Sequence, residues 1–336
     1  MPTKKQDEIF ASHLPGVLGY HAKMLSDGVR NRLLLKAIKR SVTRESQFLD
    51  VGAGSGVWAI IAAKLGARRV VAVEIEEALI PVIHRHAEEN GVADKIEIIH
   101  GNIDDVDTDL KFDVIVCELF GSDAFGKSTL NSFIRLRDRF LEKGGVLIPE
   151  RLEMWAVPIA IKNGARRFPA DLPISAEFLR TLHLNYPGEI HIAERDEVRF
   201  LAPAEKLVGV DFRKIENPLE TAEFAVEWGL KDLSKVEAIG VFQRSVFDVG
   251  LELDSRKSKS WNFTRYSLEP FRVGKGTLRF SLNLDPKNGS VQITVPSHSI
   301  IAPQTYSSVF GFTRTKMAQA VTPFKRFRSK KKNTKI

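Results

Sequence analysis

Residues Phe48 to Gly56 read FLDVGAGSG, and eighteen residues after Gly56 the β-branched run VVAV ends in Glu74. An apolar run that stops at Asp50 and then turns through Gly52, Gly54 and Gly56 is a place where backbone passes close to a ligand with no side chain between them. The following VWAIIAAKLGA has apolar residues at helical spacing and closes on Gly66, so the turn leads into a helix whose first amides are unpaired. Glu74 is a carboxylate that can accept two ribose hydroxyl protons at once. After the next strand, KIEIIHGNIDD supplies Asp104, placed to accept a hydrogen bond from an adenine amino group. Singly, each has a plainer reading: the glycines as a tight turn, Glu74 as a surface acid, Asp104 as one acid in an acid-rich loop. Together they describe a nucleoside-cofactor site.

A dinucleotide fingerprint needs G-x-G-x-x-G/A, with a small third residue that lets helix pack on strand around a pyrophosphate. Here that third position is Val57, and the chain reads D-x-G-x-G-x-G, the spacing of S-adenosylmethionine enzymes. That cofactor carries no phosphates and brings an amino-acid carboxylate and ammonium to the turn. Other chemistries find no purchase. His84 and His86 lie two apart on a helix and point to different faces, a poor metal pair. Cys117, at the end of a strand, reads as a small buried apolar residue, and no zinc motif, P-loop or triad motif is present.

These residues must be held by a larger frame. With 336 residues, 43% hydrophobic and 27% charged, the chain has the make-up of a globular protein of two domains. No apolar run reaches the roughly 20 residues of a membrane span. The single cysteine excludes an internal disulfide framework and points to a reducing compartment, with the cytoplasm as the expected location. The net charge of +8 is a property of one end: residues 314–336 hold nine Lys or Arg and no acid, leaving 41 basic against 42 acidic residues, a net of −1, in residues 1–313. That tail is expected to be disordered and able to contact an acidic protein, nucleic acid or anionic lipid, or simply to solubilise.

The pattern predicts a helical segment over residues 1–45, including KMLSDGVRNRLLLKAIKRSV, and strands alternating with helices over 46–150, the rhythm of a mostly parallel, Rossmann-like sheet. From about Pro149 the rhythm changes to short alternating strands, EFAVEWGL, VEAIGVFQRSVF, TLRFSLNLD and VQITV, so residues 151–313 are expected to form an all-β domain. Within it DLPISAEFLRTLHL reads as a helix.

In the order of these features, from about His13 to Val295, the chain resembles the protein arginine methyltransferases. GYHAKMLSDGVRNR matches the family's cofactor-covering helix, which implies that His21, Met24 and Arg30 close over the cofactor, with Arg30 on its carboxylate; Asp27 matches too. The resemblance gives Gly52, Gly54, Gly56, Asp50, Glu74 and Asp104 cofactor roles. It makes Glu118 of CELFG the first glutamate of the family's paired-glutamate hairpin, close to both cofactor and acceptor. It also implies a class I methyltransferase fold followed by a barrel-like domain, a protein or peptide substrate, and a homodimer formed through an arm, for which DLPISAEFLRTLHL is the candidate.

The acceptor side departs from the family. Methyl transfer from a sulfonium is an in-line displacement governed by positioning and electrostatics. The family fixes its guanidinium with two carboxylates, but nine residues after Glu118 this chain has Lys127, a charge reversal. Asp123 is the only acid nearby that a rearranged hairpin would offer in its place. Ser260, before Trp261, stands where the family has a histidine paired with the aspartate matching Asp27. The aromatic pair upstream of the family's covering histidine is also absent. Three functions fit these residues: an N-methyltransferase acting on a protein or peptide, arginine included; a methyltransferase acting on a small molecule; and a cofactor-binding scaffold without turnover.

Overall fold

The computed structural model of the chain describes residues 4–106, 108–119, 125, 127–161, 188–190, 196–219, 223–261, 263–268, 274–283, 290–294 and 304–307. The expected arm at 171–184, the basic tail at 314–336 and Asp123 lie outside these residues.

Two helices, α1 (Lys4–Leu25) and α2 (Gly28–Ser41), open the chain. The sequence pattern suggested one helical stretch here; Asp27 divides it. Its backbone leaves helical geometry (φ −81°, ψ 82°) and its side chain accepts from the Arg30 amide, the arrangement in which aspartate stabilises a helix start.

Next come five strands, β1 (Gln47–Val51), β2 (Arg69–Glu74), β3 (Ile96–His100), β4 (Phe112–Cys117) and β5 (Leu141–Ile148), interleaved with α3 (Val57–Lys64), α4 (Ile80–Glu89) and α5 (Lys127–Phe140). The strands form one sheet in the order β3-β2-β1-β4-β5, and every pairing is parallel. Both faces are covered. Phe48, Val70, Ala72, Val114 and Val116 pack with α2, α3 and α4, whereas Leu49, Val71, Ile115 and Leu147 pack with Leu130, Phe133, Leu136 and Phe140 of α5. That alternation is the two-residue period of a strand, and burial on both faces explains why the strands read as continuous apolar runs. The strand order reverses beside β1, so the ends of β1, β2 and β4 flank the crevice where open parallel sheets bind ligands.

Beyond Ile148 the architecture becomes antiparallel. The rest of the chain supplies β6 (Arg151–Ile161), β7 (Gly188–Ile190), β8 (Val198–Phe200), β9 (Glu205–Asp211), β10 (Glu223–Leu230), β11 (Ala238–Asp248), β12 (Leu251–Asp254), β13 (Phe263–Ser267), β14 (Gly276–Asn283), β15 (Ser290–Thr294) and β16 (Gln304–Ser307). A seven-stranded sheet runs β7-β13-β11-β6-β8, with β9 also on β6 and β12 on β11; a second runs β10-β14-β15-β16. A parallel α/β layer followed by antiparallel sheets is the fold class read from the sequence. The change falls at Pro149, where the sequence pattern puts it: β5 completes the parallel sheet and β6 begins the antiparallel one. Phe247, Leu251 and Leu253 of the β11–β12 hairpin join the core under α2, so α2 packs against both parts of the molecule.

Candidate functional site

The turn after β1 is built on glycines for steric reasons visible in its neighbours. Gly54 has φ 58°, and a β-carbon there would lie 2.6 Å from Cε1 of His21; Gly56 has φ 78°, and its β-carbon would lie 2.8 Å from Cγ2 of Ile83. Only glycine adopts this backbone without strain while leaving room for those neighbours. Glu74, at the end of β2, is buried and faces the turn: Oε2 accepts from the Gly54 amide at 2.7 Å and Oε1 from the Glu76 amide at 2.8 Å. Each oxygen retains a lone-pair position, so the carboxylate is held by backbone and can still accept ribose hydroxyls.

The first helix lies over this turn. His21 sits above Gly54, and burial, only partly countered by the Glu74 carboxylate, lowers its pKa below the usual imidazole value. His13, two turns earlier, has Nε2 3.2 Å from Oε2 of Glu76. His86, a poor metal partner for His84 by its spacing, has a structural role. Its Nδ1 lies 3.0 Å from the Ser55 carbonyl, so it steadies the glycine turn from α4.

On the other side stands an ion pair. Arg30 Nε donates to Glu118 Oε1 at 3.0 Å, and Arg30 Nη2 donates to Glu118 Oε2. Trp58 Nε1 also donates to Oε2 at 3.0 Å, and the guanidinium lies over the Trp58 ring, 5.6 Å from its centroid. The two charged side chains are 6% and 9% exposed. Glu118 is therefore committed first to orienting Arg30. Met24, half-buried at the end of α1, accepts at its carbonyl from the Asp27 amide at 3.1 Å and from Asn31 Nδ2 at 3.2 Å, which fixes the turn between the two helices.

Asp50 lies beneath the turn rather than in the opening. It is 1% exposed, and its Oδ2 accepts from the Ala59 amide at 3.0 Å, supporting the first turn of α3. Burial, reinforced by the negative charges of Glu118 and Glu74, pushes its pKa up to about 7. An acid raised in the folded state binds its proton there while the unfolded chain has already released it. The contribution of Asp50 to stability is thus largest below the ordinary carboxylate range and declines as pH rises toward 7. Asp50→Asn is expected to flatten the fall in melting temperature between about pH 4 and pH 7, a span of on the order of 3 kcal/mol. An unchanged slope would place the titration elsewhere.

Asp104 lies on the short turn after β3, where its carboxylate takes Arg135 of α5 side-on, Nε to Oδ1 at 3.1 Å and Nη2 to Oδ2 at 2.6 Å. Lys127 is the first residue of α5. Cys117 is buried, and burial raises its thiol pKa, which disfavours the nucleophilic thiolate.

Asp27 is fully buried and receives an unusual set of donors. Its Oδ2 accepts from the hydroxyls of Ser258 and Ser260, the latter at 2.8 Å, and from the amides of Lys259 at 2.8 Å and Ser260 at 3.0 Å. Burial alone would raise its pKa, but these bonds and the Arg30 amide hold it below the usual value. Neither Trp58 nor Ser258 was singled out in the sequence. An indole in the first turn after the glycines was the available signal for one, and a second serine two residues before Ser260 for the other.

Glu74, the glycine turn, His21 and the Arg30–Glu118 pair thus converge at the ends of β1, β2 and β4. The donors and acceptors suit a nucleoside carrying a carboxylate: a diol acceptor at Glu74, a glycine cradle that a β-carbon would fill, and a guanidinium. Comparison with known proteins agrees. Residues 31–148 match the family model for ribosomal protein L11 methyltransferase. A probable protein arginine N-methyltransferase 6 of Arabidopsis thaliana is 33% identical over 145 residues, 43% of this chain and 33% of that protein. Protein arginine N-methyltransferase PRMT10 of Oryza sativa subsp. japonica is 41% identical over 147 residues, 42% of this chain and 37% of that protein. The matched part is thus about a third of the length of these relatives. Among solved structures, the Trypanosoma brucei PRMT1 enzyme–prozyme complex with AdoHcy superposes with TM-score 0.70 at 23% identity, over 86% of this chain and 96% of that one. Arabidopsis thaliana protein arginine methyltransferase 10 superposes with TM-score 0.66 at 19% identity, over 87% and 98%. In sequence over about two-fifths of its length, and in fold over most of it, the chain resembles the protein arginine methyltransferases.

Proposed function

We propose that the chain is an S-adenosylmethionine-dependent methyltransferase that acts on a nitrogen of a protein or peptide. The convergence of Glu74, the glycine turn and the Arg30–Glu118 pair at one end of the parallel sheet carries this reading. Residues 46–150 hold the cofactor under the helical segment 1–45, and residues 151–313 receive the substrate and serve dimerisation. The cytoplasm is the proposed location, and the tail 314–336 the proposed contact with acidic partners.

When bound, the cofactor supplies a methyl group made electrophilic by its sulfonium. The residues of the chain do the rest. Glu74 would accept from the ribose hydroxyls, the glycine turn would leave room for the ligand beside the backbone, and Arg30 would pair with the cofactor's carboxylate. Glu118 keeps the Arg30 guanidinium in orientation. His21 and α1 cover the turn and limit water. A cationic guanidinium acceptor would find one carboxylate already shared with Arg30, and the sequence carries Lys127 where the resembled family has its second glutamate. An acceptor nitrogen without a fixed positive charge fits this arrangement better than unmodified arginine.

The relatives cited above carry the name of protein arginine N-methyltransferases, which favours a protein substrate over a metabolite. Incubating a lysate with tritiated cofactor and the purified chain, then separating protein from small molecules, is expected to label the protein fraction. Label confined to metabolites would move the substrate to a small molecule, and no label in either would leave a non-catalytic scaffold.

A further inference from the structure

Helix α2 carries Arg30 on its first turn, and the loop that fixes that turn comes from the far end of the chain. Asp27 is the pivot: Oδ1 accepts from the Arg30 amide at 3.2 Å, while Oδ2 gathers four donors from Ser258, Lys259 and Ser260. The three side chains that meet here are buried, Asp27 and Ser258 completely and Ser260 to 8% exposure.

The loop is itself preformed. Asp254 accepts from the Arg256 amide at 3.0 Å and pairs with Arg256 Nη2 at 2.5 Å and Arg244 Nε at 3.4 Å; the Ser258 amide donates to the Ser255 carbonyl at 3.2 Å. The Ser258 hydroxyl, besides donating to Asp27, accepts from the Trp261 amide at 2.9 Å. At the other end of α2, Arg40 Nη1 donates to Asp248 at 2.9 Å and to the Val249 carbonyl at 3.1 Å. Both ends of the helix that carries Arg30 are therefore tied to the antiparallel part of the molecule, and the buried tie is made of hydroxyls and amides that donate to the Asp27 carboxylate.

We propose that Ser258 and Ser260 are positioning residues that act through Asp27 to hold Arg30 where it meets the carboxylate of the cofactor. The inference rests on the cofactor reading above and adds to it that the second half of the chain sets the geometry of the first. Arg30, not Asp27 or the serines, touches the ligand. Loss of the hydroxyls leaves Asp27 with fewer donors, lets the first turn of α2 shift, and misaligns the guanidinium. A displacement of about 1 Å at such a group is enough for large losses.

Two ligands separate positioning from general stability. S-adenosylhomocysteine has the amino-acid carboxylate; 5′-methylthioadenosine has the same adenosine and thioether without it. By calorimetry, the Ser258→Ala/Ser260→Ala chain is expected to bind S-adenosylhomocysteine about tenfold more weakly than the parent, with 5′-methylthioadenosine changed by less than about twofold. Ser260→Thr, which keeps the hydroxyl, is expected to bind both as the parent does. Equal weakening of both ligands, or of neither, overturns the proposal. A ligand-free readout stands beside it: the indole N–H resonance of Trp58, bonded to the Glu118 that holds Arg30, is expected to move in Ser260→Ala and to return in Ser260→Thr. A resonance that stays put refutes the link. If the parent binds neither ligand but the resonance moves, the positional link holds and the cofactor reading fails.

Discussion

Arg30→Ala is expected to lower stability by about 3–5 kcal/mol and to abolish the thermal shift produced by S-adenosylhomocysteine. The stability loss follows from burial. Glu118 is 9% exposed and its oxygens face Arg30 and Trp58, so removing the guanidinium leaves a carboxylate in the interior with one indole donor. A buried charge stripped of its partner costs more than the pair contributed, whereas removing both charges is often nearly neutral. Arg30→Met/Glu118→Leu should accordingly recover most of the stability and none of the ligand response, which denaturant titration and calorimetry on the two chains would separate. The structure also changes what Glu118→Gln should do. If Glu118 only oriented the acceptor, this variant would lose transfer and keep cofactor affinity. With Glu118 holding Arg30 through two bonds, cofactor affinity should fall as well.

Lys127→Glu is expected to raise methylation of an arginine peptide by at least a hundredfold without lowering the melting temperature. An ammonium about 4 Å from a guanidinium, at an effective dielectric near 20, is repelled by roughly 4 kcal/mol, of the order of a thousandfold in affinity; a carboxylate reverses the sign. Lys127 opens α5, and an acid in the first turn of a helix is stabilised by the helix dipole, so the substitution should not cost stability. Steady-state rates on an arginine peptide for the two chains give the comparison. Equal rates would remove position 127 from the acceptor pocket.

Much of this architecture was legible because single residues carry it. Glycines at positive φ cannot be exchanged cheaply, so Gly54 and Gly56 announce the turn, and the β-branched run before Glu74 announces the strand end that aims it. The change at Pro149 was visible because parallel strands buried on both faces read as apolar runs and antiparallel ones alternate; β10, EFAVEWGL, matches its sequence pattern residue for residue. What could not be read depends on contacts distant in the chain. The resemblance placed Ser260 opposite Asp27, but that Ser258, 231 residues away, and the Lys259 amide would join it is a property of how α2 docks on the β11–β12 region. The partners of Glu118 come from α2 and α3, and nothing local to CELFG names Arg30 or Trp58 as the groups that occupy it. Asp104 shows the same limit. Its position in the sequence suits adenine, while the structure adds Arg135 from a helix some thirty residues on as its side-on partner. Asp50 looked like a ligand contact because it precedes the glycines, but its strand alternation turns it inward to support α3.

The pocket itself decides the account. Titrating the purified chain with S-adenosylhomocysteine in a calorimeter, with a nicotinamide dinucleotide as the control, is expected to give saturable one-to-one heat with the first and none with the second. Heat from the dinucleotide alone, with the folded chain silent toward S-adenosylhomocysteine, would contradict it.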